Sequence, residues 1–159
     1  MNNQPGHGVN FQVFLPTSNA TDPQLVQTPG PSHPLGGTET ILLVEDEPAV
    51  RRLTRAVLET AGYHVLEAPD GAAAQHIWKE HHDSIDLLLT DMVMPGGISG
   101  RELAVSLQTH APGLRVIFTS GYSADIAGRE LSLEEGKNFL QKPSSPRQLL
   151  EVVRRCLDA

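Results

Sequence analysis

The sequence predicts an α/β fold: a doubly wound, five-stranded parallel sheet with helices on both faces. Two observations carry this. From Thr38 onward, short aliphatic runs alternate with helix-like stretches, giving five β-then-α units in succession. The runs are also continuously apolar rather than alternating, as strands covered on both faces must be.

The elements follow in order. ILLV (41–44) reads as the first strand. Pro48 to Ala61 reads as a helix with Val50, Leu53, Val57 and Ala61 on its apolar face. Pro48 suits the first turn and Gly62 the C-terminal cap. HVLEA (64–68) is the second strand, and Asp70-Gly71 leads into a helix carrying Ala74, Ile77 and Trp78. IDLLLT (85–90) is the third strand. Ser99 and Glu102 form a capping box that opens a helix through Leu103 and Leu107, ended by Pro112. LRVIF (114–118) and NFL (138–140) are the fourth and fifth strands. Residues 122–135 read as a weak helix without a clean apolar stripe. Ser145 and Gln148 form a second capping box, opening a final helix with Leu149, Leu150, Val153 and Leu157.

The first 37 residues have a different character. They hold one charged residue, Asp22, and six of the twelve prolines. Residues 17–37 have the small, polar, proline-punctuated composition of a linker. Within residues 1–16, the island VNFQVFLP alternates like a strand, with no partner strand nearby in sequence.

Composition narrows the function. A formal charge of −7 and a pI near 5.4 argue against a nucleic-acid surface, which needs clustered cations. Arg51, Arg52 and Arg55 read as the solvated face of a helix. No apolar run approaches the ~20 residues that span a bilayer, and no secretory signal opens the chain. The single cysteine, Cys156, reads as a packing residue and fits a reducing, cytoplasmic setting. The seven histidines show no metal-ligand spacing.

In an open parallel sheet, ligands gather at the carboxyl ends of the strands. The first strand ends in Glu45-Asp46, the third in Asp91, the fourth in Thr119-Ser120 and the fifth in Lys142-Pro143. Taken singly, each has an ordinary explanation. An acidic run favours a helix N-terminus, Lys-Pro suits a turn, and a serine suits a loop. At one shared edge they describe a site. Two carboxylates about 4 Å apart repel by roughly 4 kcal/mol at an effective dielectric near 20. A hard divalent cation such as Mg²⁺ relieves that repulsion. Asp91, beside the cation and Lys142, then becomes a carboxylate nucleophile suited to attack on phosphorus. Ser120 and Lys142 are placed to meet phosphoryl oxygens.

With these residues in view, 39–159 resembles the receiver domain of two-component response regulators. The resemblance runs through LLVEDEP, ETAGYHVLEAPDG, LLLTDMVMPGG, VIFTSGYS and FLQKP. It implies a flavodoxin-like fold with strand order 2-1-3-4-5, bounded here as residues 38–159. It also implies an aspartyl-phosphate switch, with no enzymatic activity beyond phosphorylation and dephosphorylation of its own aspartate. Asp91 is then the phosphoacceptor, taking a phosphoryl group from a kinase phosphohistidine. Glu45, Asp46, Asp91 and the backbone carbonyl of Val93 hold Mg²⁺, and Lys142 contacts the phosphate. Ser120 is the switch hydroxyl, and Phe139 is the aromatic whose rotamer reports the state, both expected to move inward on phosphorylation. The implied partner is a histidine kinase or histidine phosphotransfer protein, with no nucleic acid, no direct membrane contact, and a monomeric or weakly dimeric state. Val93 and Tyr122 flank the expected path of water without a polar group to orient it, so slow loss of the phosphate is expected.

This sequence departs from the family pattern at four places. Glu45 stands where aspartate is commoner. Gly96-Gly97-Ile98 is one residue longer than the usual turn, Ser144 stands where an aromatic is frequent, and the weak stretch 122–135 puts the usual dimer face in doubt. GHGVNFQVFLP resembles the last strand of a histidine-kinase ATP-binding domain. Residues 1–16 are thus either a remnant of such a domain, in a hybrid sensor kinase, or a disordered tail. Three rival readings share parts of the pattern. An aspartyl phosphatase of the haloacid-dehalogenase class would end its first strand in Asp-x-Asp. A flavodoxin-type carrier would place hydroxyls where EDEPAV (45–50) stands. A pseudo-receiver used only for interactions would have lost some of these acidic or lysine positions.

Overall fold

A computed structural model describes residues 2–3, 9–10, 35–94, 97–121, 133–134 and 136–159. The chain divides into two compact units, Met1–Ser32 and His33–Ala159. In the first, Asn2–Asn3 pairs antiparallel with Val9–Asn10. The expectation that the N-terminal island lacks a nearby partner is corrected to that extent. The partner strand is polar, and backbone pairing needs no apolar alternation, so hydrophobic periodicity does not detect it. Residues 11–16 of that island and the linker up to 34 lie outside the described residues.

The second unit is a five-stranded sheet: β1 (Thr40–Val44), β2 (His64–Ala68), β3 (Leu87–Asp91), β4 (Arg115–Ser120) and β5 (Phe139–Gln141). Every pairing is parallel and the order is β2-β1-β3-β4-β5. The helices are α1 (Pro48–Thr60), α2 (Gly71–His81), α3 (Gly100–His110) and α4 (Pro146–Leu157). The expected weak helix over 122–135 lies almost wholly outside the described residues.

The aliphatic runs feed two cores because successive side chains point to opposite faces. Leu42, Val44, Leu88, Val116 and Phe118 face α2 and α3, meeting Ala74, Trp78, Leu103 and Leu107. Ile41, Leu43, Leu87, Leu89 and Ile117 face α1 and α4, meeting Leu58, Leu149, Val153 and Leu157. Both expected capping boxes form, Ser99 with Glu102 and Ser145 with Gln148. Gly62 follows α1 with φ +99, a conformation that L side chains rarely adopt.

The apolar face of α1 differs from expectation in part: Val57 and Ala61 pack against the core as expected, but Leu53 does not. Leu58 is its buried residue, whereas Leu53 is 66% exposed. A 3.6-residue stripe gives a direction around the helix, but neighbours decide which edge of the stripe they cover. Here α4 covers the Leu58 edge, and Leu53 faces outward beside Pro143, along a cavity of about 400 Å³.

The start of the domain is gripped at the opposite end of the sheet. Gly37 N donates to the Ala61 carbonyl at 3.2 Å. A Cβ at Gly36 would stand 2.2 Å from that same oxygen, so the chain passes too closely for a side chain there. Two residues on, Glu39 Oε1 accepts from Arg154 Nη2 of α4 at 2.8 Å.

Candidate functional site

The loop after β1 delivers Glu45 and Asp46, and Asp91 is the last residue of β3. Because β1 and β3 are adjacent and in parallel register, with Val44 opposite Thr90, their ends coincide. Ligand oxygens of Glu45, Asp46 and Asp91 consequently all lie within 4.8 Å of one another. The fifth strand sits farther along the sheet, yet Lys142 reaches back over its edge. Its Nζ lies 2.6 Å from Glu45 Oε2 and 2.6 Å from Asp91 Oδ2. The Lys142–Pro143 peptide is cis.

Backbone bonds lock this edge. Lys142 N donates to the Ser120 carbonyl at 2.7 Å, and Met92 N donates to the Thr119 carbonyl at 2.9 Å. Val93 N donates to Asp91 Oδ1 at 3.0 Å. The two oxygens of Asp91 are thereby held by different donors, an amide on one and an ammonium on the other. Beneath them, α3 starts so close to β3 that a Cβ at Gly100 would stand 1.9 Å from the Asp91 carbonyl oxygen. Only a glycine lets the helix begin there.

The electrostatics follow from burial. Glu45 is 4% exposed. Burial pushes its carboxyl above the ordinary glutamate range; the hydrogen bond from Lys142 offsets this in part, while Asp91 and Asp46 add to the push. Burial opposes the charge of Lys142, but its hydrogen bonds to Asp91 and Glu45 win, holding the ammonium above the ordinary lysine range. The asymmetry is physical: the lysine has two anions, whereas Glu45 has a share of one cation. Three carboxylates against one ammonium leave room for a hard divalent cation, and the oxygen-only donor set suits Mg²⁺.

The structure therefore brings Glu45, Asp46, Asp91 and Lys142 together, with Ser120 at the neighbouring strand end. Ser120 is 2% exposed and Phe139 fully buried, packed with the α2/α3 core. The inward movement expected of these two side chains thus starts from positions already inside. Tyr122 lies outside the described residues, as do Pro95 and Gly96 of the longer turn.

One contributor departs from the sequence reading. Arg51 is not part of a solvated face: its Nη1 donates to the Glu45 carbonyl at 2.6 Å and lies 3.5 Å from the Asp46 carbonyl. The sequence does hold a signal for this. Helical side chains lean toward the N-terminus, so an arginine in the first turns of α1 leans over the loop that precedes it.

Comparison with known proteins agrees with this geometry. Residues 41–154 match the family described as response regulator receiver domain. The chain is 35% identical over 119 residues to the response regulator receiver protein CpdR of Brucella abortus, covering 75% of this chain and 97% of that protein. It is also 35% identical over 160 residues to the sensor kinase CckA of Brucella abortus, covering 96% of this chain but 17% of the kinase. Among solved structures, the receiver domain of the hybrid histidine kinase CckA is 39% identical, with a TM-score of 0.58 over 74% of this chain and 98% of that one. A response regulator receiver protein from Sinorhizobium medicae superposes with a TM-score of 0.67 at 27% identity, over 77% and 96% of the two chains. The fold, the extent of these matches and the acidic edge agree, and the chain belongs to the response regulator receiver domain family.

Proposed function

We propose that this domain is a phosphoacceptor switch in which Asp91 takes a phosphoryl group from a histidine of a kinase or phosphotransfer protein. The observation that carries the reading is the shared ammonium: Lys142 Nζ at 2.6 Å from both Asp91 and Glu45, at an edge where three carboxylates converge. An Asp91 oxygen attacks phosphorus; the P–N bond to the imidazole breaks, and the leaving nitrogen keeps the electron pair and takes up a proton. Lys142 releases one of its carboxylates to meet a phosphoryl oxygen. Ser120, one residue past the Asp91–Thr119 register pair, supplies a hydroxyl to another. Glu45, Asp46, Asp91 and the Val93 carbonyl would hold Mg²⁺, which supplies charge neutralisation for the attacking carboxylate and the incoming phosphoryl group. Phe139 reports the change through its packing against Phe118 and the α2/α3 core.

Incubation with acetyl phosphate and Mg²⁺, followed by intact mass, tests the reading. A phosphoryl adduct is expected on the parent protein and not on D91N. If neither acetyl phosphate nor a phosphorylated kinase gives an adduct, the domain is an interaction module instead.

The tail supports a second proposal, that residues 1–37 join this receiver, on the cytoplasmic side, to a kinase in one hybrid chain, itself either free or membrane-anchored. The alignment with the sensor kinase covers 96% of the present sequence, which requires it to extend into the tail. Among the described residues no helix is long and apolar enough to cross a membrane. An immunoblot of the native cells distinguishes the cases: a hybrid kinase migrates far above 17.2 kDa.

A further inference from the structure

We propose that Arg51 is a positioning residue for the acidic loop, fixing the direction of the Asp46 carboxylate. The inference rests on the metal site proposed above. The carbonyl of Glu45 belongs to the peptide before Asp46, and the carbonyl of Asp46 belongs to the peptide after it. Arg51 Nη1 faces both, at 2.6 and 3.5 Å. The first is a short, charge-assisted bond and the second a long contact, so the grip is firm on one peptide and light on the other. Holding both peptide planes sets the Cα–Cβ direction of the residue between them, which is Asp46.

The rest of the loop depends on this grip. Glu45 is tied at its amide to the Ala68 carbonyl at 3.2 Å and at its side chain to Lys142. Asp46 has no comparable side-chain tie among the described residues, and it is half exposed where Glu45 is buried. Its carboxylate needs the backbone to aim it. A cation in the first turns also runs against the preference of a helix N-terminus for negative charge. That unfavourable placement is explained if the guanidinium serves the preceding loop. Arg52, exposed on the same helix, shares the charge without the contact.

The sign of the effect separates positioning from simple electrostatics. Deleting a cation near three carboxylates would by itself tighten divalent-ion binding. Loss of a positioned ligand loosens it, by about tenfold on the scale of outer-sphere partners of metal ligands. The test is a Mn²⁺ titration followed by electron paramagnetic resonance, with Mg²⁺ competition, well below the unfolding temperature. R51M is expected to bind Mn²⁺ about tenfold more weakly than the parent, while R52M binds like the parent. At saturating Mg²⁺, phosphorylation of R51M by acetyl phosphate should return to the parent rate, because the residue acts on the metal ligands and not on the transfer. Unchanged or tighter Mn²⁺ binding in R51M, an equal loss in R52M, or a rate that saturating Mg²⁺ does not restore each overturns the inference. If R51M does not fold, R51K decides. A lysine side chain ends short of the position that the guanidinium Nη1 occupies, so the longer contact, to the Asp46 carbonyl, is lost first; weaker Mn²⁺ binding than the parent is expected, and equal binding overturns the idea. A parent protein that binds no Mn²⁺ would remove the metal site itself, an outcome distinct from a failure of Arg51 alone.

Discussion

Lys142 divides one ammonium between two carboxylates, and this sharing governs what substitutions at the site should do. Removing it leaves Glu45 buried with no cation. Breaking a buried pair costs about 3–5 kcal/mol in a fully enclosed site. A quarter of the Lys142 side chain is solvated, so about 2 kcal/mol is the expected loss for K142M in the absence of Mg²⁺. Urea unfolding with and without Mg²⁺ checks this: the gap to the parent should narrow when the cation replaces the lost charge. An unchanged midpoint would show that Glu45 does not need the ammonium. Val93, 64% exposed beside Asp91, brings no polar group to the path of water. V93N should accelerate loss of the phosphoryl group by about tenfold, less than a true general base provides. Intact mass followed after removal of the donor measures it, and an unaltered decay would dismiss this role for Val93.

At the scale of elements, α1 has two working faces. Leu58 closes the core against α4, and Leu53 stands in solvent next to the groove that leads to Lys142. A phosphohistidine helix that approaches Asp91 from this side would cover Leu53. Burying a leucine contributes about 1.5–3 kcal/mol, so L53D should slow phosphotransfer from a protein donor by at least about tenfold. The rate with acetyl phosphate, which touches no helix face, should stay as it was; equal slowing with both donors would argue for a disturbed site. The same helix separates what the order of residues dictates locally from what only packing decides. Its start at Pro48, its end before Gly62, both capping boxes and the strand cores of the parallel sheet are legible in the sequence, because caps and apolar runs are local signals. The convergence of Glu45, Asp46, Asp91 and Lys142 is legible too, since a parallel sheet forces strand ends to one edge. The outward turn of Leu53 is not, because it depends on where α4 lies. Arg51 is legible only in part: its place in the first turns of α1 leans it toward the preceding loop, but which carbonyls it meets is decided by how that loop packs.

At the scale of the whole molecule, Glu39 and Glu45 make stability depend on pH with opposite signs. Glu39 is held below the ordinary glutamate range, chiefly by the hydrogen bond from Arg154. Its stabilising contribution is complete above the unfolded value of about 4.3 and is lost as pH falls through the lower folded value. Glu45, held above that range by burial, acts in reverse, costing stability as pH rises from the unfolded value to the folded one. E39Q should therefore lower the denaturant midpoint at neutral pH, and the difference should shrink as the solution is acidified below about pH 4. A difference that is flat with pH would mean that the Arg154 pair does not hold Glu39 ionised. The grip around Gly36 and Gly37 also has a mechanical meaning. The family match begins at residue 41, downstream of that grip, and stops at 154, short of buried Leu157. A pull from upstream would load Ala61 and Arg154, at the trailing ends of α1 and α4, before it strained β1. Tension arriving from upstream would thus be taken up by the two helices of one face, at the pole of the sheet farthest from Asp91, and the acidic edge would be left undisturbed.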